Sequence, residues 1–221
     1  VFGTAAELWA ADSASRRTAK VHAQYWEQLL GRDREETARR AGCIYLPECD
    51  SFTISLLSTE YAVYLGSRTI SDAAEPPGSP PAGFLEQLCV LAYLVGARDQ
   101  PLAGKLVSAE KLDPGGFFFR GSHRIPVEKL EKAFGCDSRL LDQAGSKLNA
   151  KSLSFGDAAI EILVLPRIPL TLIIWVADQE FPARASILFD QTVSAHLPLD
   201  VVYAAALLTI DAVLSNCSEI S

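Results

Sequence analysis

The segment from Asp200 to Asn216 constrains this chain more than any other. Its apolar residues, uncharged from Val201 to Ile210, leave no polar stripe around a helical circumference. A helix apolar on every side needs cover on most sides. The cover has to come from the chain itself. The three longest uncharged apolar stretches, Leu88 to Ala97, Ile168 to Ala177 and Val201 to Ile210, fall far short of the roughly 18 to 20 residues that span hydrocarbon. With 49% apolar residues in a chain of 221, there is material for at least one full core. The expectation is a soluble protein, with no membrane partner, built around a long buried C-terminal helix.

Several runs can supply that cover. Ala159 to Leu165 and Leu170 to Val176 are apolar and β-branched, separated by Pro166-Arg-Ile-Pro169, and read as core strands. A third strand, Ala185 to Phe189, ends at Asp190. Phe84 to Val95 reads as a helix apolar on most of its circumference. Pro126 opens a helix running to Phe134, and Asp137 can cap the next one, through Ala144. Nearer the N-terminus, Val21, Tyr25, Trp26, Leu29 and Leu30 recur at helical spacing within Ser13 to Leu30, and Asp33 to Ala41 reads as a shorter helix closed by Gly42. Phe52-Thr-Ile-Ser-Leu-Leu and Tyr61-Ala-Val-Tyr-Leu then suggest an antiparallel hairpin. The cluster Glu75-Pro-Pro-Gly-Ser-Pro-Pro is a loop or linker, because Pro and Gly continue neither a helix nor a central strand. It divides an N-terminal helical and hairpin region, 1–74, from a main domain, 82–221, unless the two form one domain. The fold class is α+β: an antiparallel or mixed sheet with helices packed on it.

Twenty basic residues against 27 acidic ones give a net charge of −7, which argues against nucleic acid or an anionic bilayer as partner. No basic segment followed by an apolar stretch opens the chain, so no signal peptide is expected. The chain contains no Met, so its first residue is not taken as the translation start. Cys43, Cys49, Cys89, Cys136 and Cys217 are odd in number and irregularly spaced, unlike a disulfide framework or a paired-thiolate metal site. They read as thiols in a reducing cytoplasm, and no metal ligands are assigned.

Two polar constellations stand out. The first is Gly115-Gly-Phe-Phe-Phe-Arg-Gly-Ser-His-Arg-Ile-Pro126, where Arg120, Ser122, His123 and Arg124 bring donors and positive charge around Gly121. One reading is a cradle for an anionic group, with the helix after Pro126 lending its positive end. The other is a strand, a turn and a helix start whose arginines pair with nearby carboxylates. The phenylalanine triplet reads as core packing, with alternate rings on opposite faces of a strand.

The second is Trp175-Val-Ala-Asp-Gln-Glu-Phe-Pro-Ala-Arg184, a core strand running into Asp178, Glu180 and Arg184. The two carboxylates could ligate a divalent ion or act as an acid and base pair, and Arg184 could hold a carboxylate. The structural alternative is a turn acid and an ion pair. His196, between the last strand and the last helix, could approach the Asp178 loop as a proton shuttle or ligand, or could serve as a hydrogen-bonded loop residue. His22 reads as solvent-facing, and Asp157 in Phe155-Gly-Asp as a turn acid. No P-loop, dinucleotide fingerprint, His-Glu-x-x-His or Gly-x-Ser-x-Gly occurs.

Across Gly116 to Pro126, Phe155-Gly-Asp157, Leu165-Pro-Arg-Ile-Pro169, Trp175 to Pro182, Leu188-Phe-Asp190 and His196-Leu-Pro198, the chain resembles the bacterial and archaeal family known as domain of unknown function 3786. The likeness is strongest from about Leu102 onward, while the first 80 residues match in general layout. The resemblance implies a setting in anaerobes, where some members look like fusions to an iron–sulfur module of the corrinoid iron–sulfur type. The clustered cysteines of that module are missing here. The resemblance suggests a neighbourhood, corrinoid or one-carbon redox metabolism, and supplies no reaction; the first reading of the residues is an accessory protein in anaerobic redox or one-carbon metabolism. Such a protein would bind an anionic small molecule or a cofactor, with a corrinoid or another tetrapyrrole as one candidate. Arg120, His123 and Arg124 would hold its acidic groups, and His123 or His196 would be an axial ligand if it carries a metal. The alternatives are a metal-dependent or acid–base enzyme using Asp178, Glu180 and His196, and a module that docks to a redox partner.

Overall fold

The computed structural model describes residues 23–76, 79–112 and 115–218. Helix α1 (Ala23–Leu30) is the described part of the expected N-terminal helix, buried through Trp26 and Leu29. The stretch before it, His22 included, lies outside the described residues. Helix α2 (Arg34–Ala41) begins where Asp33 accepts the Glu36 N–H at 2.8 Å and ends at Gly42, whose φ of 64° is the left-handed turn that closes helices. Strands β1 (Ile44–Leu46), β2 (Ser51–Leu56), β3 (Thr59–Tyr64) and β4 (Thr69–Asp72) follow as an antiparallel meander in that order. The hairpin read from sequence is β2–β3. After the Pro-rich loop comes helix α3 (Phe84–Gly96), whose residues from Gln87 through Val95 are all buried.

The second sheet is built from β5 (Leu106–Ser108), β6 (Lys151–Leu153), β7 (Ala158–Leu165), β8 (Ile168–Trp175) and β9 (Arg184–Asp190), in the order β5-β9-β8-β7-β6 and antiparallel throughout. Ile162 opposite Leu170, Ile160 opposite Leu172, and Leu170 opposite Phe189 put one apolar face toward the helices. The β7–β8 turn is tighter than the sequence suggested. Only Pro166 and Arg167 form it, and Pro169 lies within β8, tolerated where the ladder shifts register between Leu163 and Leu165.

Between β5 and β6 lie a short helix α4 (Gly115–Phe118), α5 (Glu128–Phe134) and α6 (Arg139–Ser146). The N-cap of α6 is Ser138 rather than the expected Asp137, which lies one residue earlier and accepts the Arg139 N–H at 3.0 Å. The phenylalanine triplet, read as a strand, is instead a helical turn. Gly115 and Gly116 start the turn, and the three rings fan around it rather than alternating. Phe119 is buried in the core, Phe118 is half-buried, and Phe117 is 89% exposed.

A short helix α7 (Val193–His196) leads into α8 (Leu199–Ser218), the buried C-terminal helix. It packs against α3, α5 and α6. By length and composition it could cross a bilayer, but most of it is covered by the rest of the molecule. Val201, Val202, Ala204, Leu207, Ile210 and Val213 are fully buried, and each large side chain among them contributes about 1.5–3 kcal/mol. The cluster they belong to is continuous, taking in Phe52, Ile54 and Val63 of the first sheet and Leu170, Leu172 and Phe189 of the second.

Candidate functional site

The basic turn neutralises most of its own charge. Gly121 has a φ of 72°, a conformation that suits glycine, and turns the chain between α4 and α5. Arg124 forms a 2.9 Å ion pair with Glu128 one helical turn on. Arg120 lies exposed, its guanidinium 5.9 Å from the centre of the Phe117 ring. His123 stacks on Phe118 at 4.3 Å and meets the buried Tyr203 of α8 edge-on at 5.8 Å, so its ring fastens the turn to the core helix. The Ser122 side chain lies outside what is described. Arg124 also lines a groove of about 180 Å³ along β9, beside Ser108, Glu110 and Ser186.

The second constellation closes on itself as well. Asp178 Oδ1 accepts the N–H groups of Phe181 at 2.7 Å and Glu180 at 2.8 Å, and those bonds hold its carboxyl below the ordinary range. Glu180 is exposed. Arg184 lies over Trp175, directly opposite it in the sheet, at 5.0 Å from the ring centre. Asp157 is a turn acid, accepting the Val176 N–H at 2.8 Å.

His196 does not join that loop. Asp178 precedes β9 and His196 follows it, and the seven residues of β9 are about 20 Å of extended chain. His196 is 1% exposed and its Nδ1 accepts the Arg98 N–H at 3.2 Å, while Nε2 has no hydrogen-bond partner among the described residues. Burial, with Arg167 and Arg98 nearby, holds its pKa below the usual histidine value against the opposing pull of Asp190. The structure therefore brings Arg120, His123 and Arg124 together as one turn, and Asp178, Glu180 and Arg184 as another, with His196 at the far end of the sheet. Among the described residues, no group of three or more His, Cys, Asp or Glu is placed to hold a metal ion.

A different set of residues does converge on a concavity. A cleft of about 610 Å³ opens between the Pro-rich loop, the start of α3 and the middle of α8, lined by Asp72, Glu75, Glu86 and Asp211 together with Tyr61 and Ser79. No basic side chain is among the described residues that line it. Asp72 ends β4, where its Oδ1 accepts the Ala74 N–H at 2.8 Å. Glu86 sits in the first turn of α3, its carboxylate folded against Gly83 where any side chain would collide with it. Burial, then Glu86 and Asp72, push the Tyr61 phenol well above its ordinary pKa, so it stays a neutral donor. A second hollow of about 190 Å³ shares Tyr61, Glu86 and Asp211.

The family model for a domain of unknown function, DUF3786, matches residues 33–212. The chain belongs to the DUF3786 family. No curated protein and no solved structure matches it. The DUF3786 match starts at the cap of α2, so the family region takes in the whole first sheet as well as the part from Leu102 onward that carries the clearest likeness. It also spans all four acidic residues of the cleft.

Sequence reading missed that cleft because Asp72, Glu75 and Glu86 fall on a strand end, a loop and a helix start that share no motif, and Asp211 comes from the far end of the chain. The available signal was Glu86, the one charge between Phe84 and Gly96, and Asp211, which follows the uncharged run from Val201 to Ile210. The part of Arg167 in the DUF3786 fold also went unread. Its Nε donates to the Arg40 carbonyl at 2.8 Å, and it pairs with Asp99 at 3.0 Å, tying the end of α2 to the β7–β8 turn.

Proposed function

We propose that this DUF3786 protein is a non-catalytic binding protein whose site is the acid-lined cleft and whose ligand is a small organic cation bearing more than one positive charge. The observation that carries the reading is the gathering of four carboxylates on one cleft, with no basic residue among the described residues that line it. Its volume of about 610 Å³ falls in the range of small-molecule sites. Carboxylates spread around such a cleft suit a cation with separated charges better than a single compact ion. Tyr61 and Ser79 add neutral hydrogen-bonding groups for orientation. Binding is favoured over catalysis because Asp178 is engaged in its own turn and His196 is buried a strand's length away.

The test is calorimetric titration with spermidine at low ionic strength. The reading expects a salt-sensitive affinity that weakens at least about tenfold in the Glu86→Gln/Asp211→Asn double variant. Equal binding by the wild type and the double variant, or none by either, would contradict it.

A second reading keeps an anionic ligand or cofactor, corrinoid and other tetrapyrroles included, at the Arg120–Arg124 turn. What favours it is the groove where Arg124 lies beside Ser108 and Ser186. Titration with inorganic phosphate, and absorbance spectra after incubation with corrinoid, haem and flavin, check it. Silence in all four removes it.

A further inference from the structure

The connection from α3 to β5, residues Ala97 to Lys105, is fastened at both ends by buried titratable groups that belong to the segment after β8. At its start the Arg98 N–H donates to His196 Nδ1 at 3.2 Å. At its end the Ala103 and Gly104 N–H groups donate to Asp190, at 3.0 and 2.8 Å, and the Lys105 carbonyl accepts the Gln191 N–H at 2.9 Å. Asp190 is only 3% exposed and also accepts two bonds from Thr192, through its N–H at 2.9 Å and its hydroxyl at 2.6 Å. Between the two fastenings the strap is exposed, Leu102 at 49%. Asp99 pairs with Arg167 and Arg39 on its surface side.

The two fastenings respond to protons differently. Because Nδ1 accepts, the His196 ring proton is on Nε2, which is buried without a partner among the described residues. Protonation would place a second N–H at Nδ1, facing the Arg98 N–H, so donor would meet donor and the bond would be lost. The groups facing His196 are Arg98 on the strap, Arg167 at the β7–β8 turn, Asp190 at the end of β9 and Tyr93 on α3, whose ring centre is 6.4 Å away. Two of these are cationic, and only Asp190 favours the charged ring. Asp190, by contrast, keeps its four bonds for as long as it stays ionised.

We propose that residues 97–105 form a proton-released strap that opens in two steps, the Arg98 end when His196 is protonated and the Gly104 end only when Asp190 is. The partial opening would release the Arg98 end while the Asp99 ion pairs with Arg167 and Arg39 and the pairing of β5 with β9 stay in place. Nothing in this depends on what occupies the acidic cleft.

Amide exchange of the full chain by NMR, read as protection factors from pH 8 downward alongside the His196 ring resonances, tests it. Arg98 should lose protection by about tenfold, the effect of losing one hydrogen bond, with the midpoint of the His196 titration. Ala103 and Gly104 should keep theirs through that step. An Arg98 amide that stays protected while His196 titrates would overturn the proposal. So would strap amides that open together with the core, or a His196 that does not titrate before the core opens. The His196→Phe variant, which has no acceptor, should show Arg98 exchange already fast at pH 8, with Gly104 protected.

Discussion

The basic turn at Arg120–Arg124 and the acidic cleft at Asp72, Glu75, Glu86 and Asp211 both rest on α8, yet they handle charge in opposite ways. In the turn, side chains close in sequence find partners close in sequence: Arg124 pairs with Glu128, Arg120 lies by the Phe117 ring and His123 stacks on Phe118. In the cleft, like charges from four separate pieces of chain, the end of β4, the Pro-rich loop, the start of α3 and the middle of α8, are carried to one place. Local pairing needs only a helical turn of chain, and it satisfies the groups involved. Carboxylates collected on one cleft by tertiary structure are the feature on which the proposed binding function rests.

The largest effect should come from breaking the backing the two regions share. Leu207 is fully buried on α8, between Tyr203, which meets the turn, and Asp211, which lines the cleft. Leu207→Ala should lower stability by about 2–5 kcal/mol in urea unfolding, and the turn and the cleft should lose structure together. A loss confined to one of them would show that they are not mechanically joined.

The next effect contrasts a carboxylate that is satisfied with those that are gathered. Asp190→Asn exchanges an acceptor of four bonds for a half-donor and should cost about 1–3 kcal/mol. Asp211→Asn should leave stability unchanged or raise it. The pH profile follows the same division. Burial raises the Asp190 carboxyl, but the bonds from Thr192, Ala103 and Gly104 outweigh it and hold the group below its ordinary value of 3.8. Its stabilisation is therefore present above that value and disappears as pH falls through the lower folded one. His196 is depressed below 6.5, so the unfolded chain binds the proton first. Stability should fall as pH drops from 6.5 toward the folded value and stay level above it. Urea midpoints between pH 8 and 5 check this, and the slope should flatten in the His196→Phe variant.

The smallest effect belongs to the turn. Removing one exposed ion pair by Arg124→Ala should change stability by less than about 1 kcal/mol and leave spermidine binding as it was. A large drop in that affinity would shift the site toward the turn.

The elements that sequence made legible are those with enough length to show a period. Helices α3 and α8 and strands β7, β8 and β9 each run for seven residues or more, and Asp33 and Gly42 mark the ends of α2 in plain chemistry. Strands β1, β5 and β6 have three residues each, too few to alternate visibly, and they exist because a longer neighbour offers them a ladder. Phe117-Phe-Phe was ambiguous for a related reason: an apolar triplet fits a strand or a helical turn, and Gly115 with Gly116 decides for the turn. The site was less legible than the fold. Neighbouring charges such as Arg120 with Arg124, or Asp178 with Glu180, draw attention, but adjacency is what allows them to be quenched by turns and local pairs. The acids of the cleft carry no shared motif, and only the packing of α3 against α8 brings Glu86 and Asp211 to one wall.

Chemical-shift mapping of the full chain during spermidine titration tests the central claim most directly. The account expects the amide shifts to concentrate at Asp72, Glu75, Glu86 and Asp211, to fade with added salt, and to leave residues 120–124 and 178–184 in place. Shifts centred on either of those two turns, or scattered evenly over the acidic surface, would contradict it.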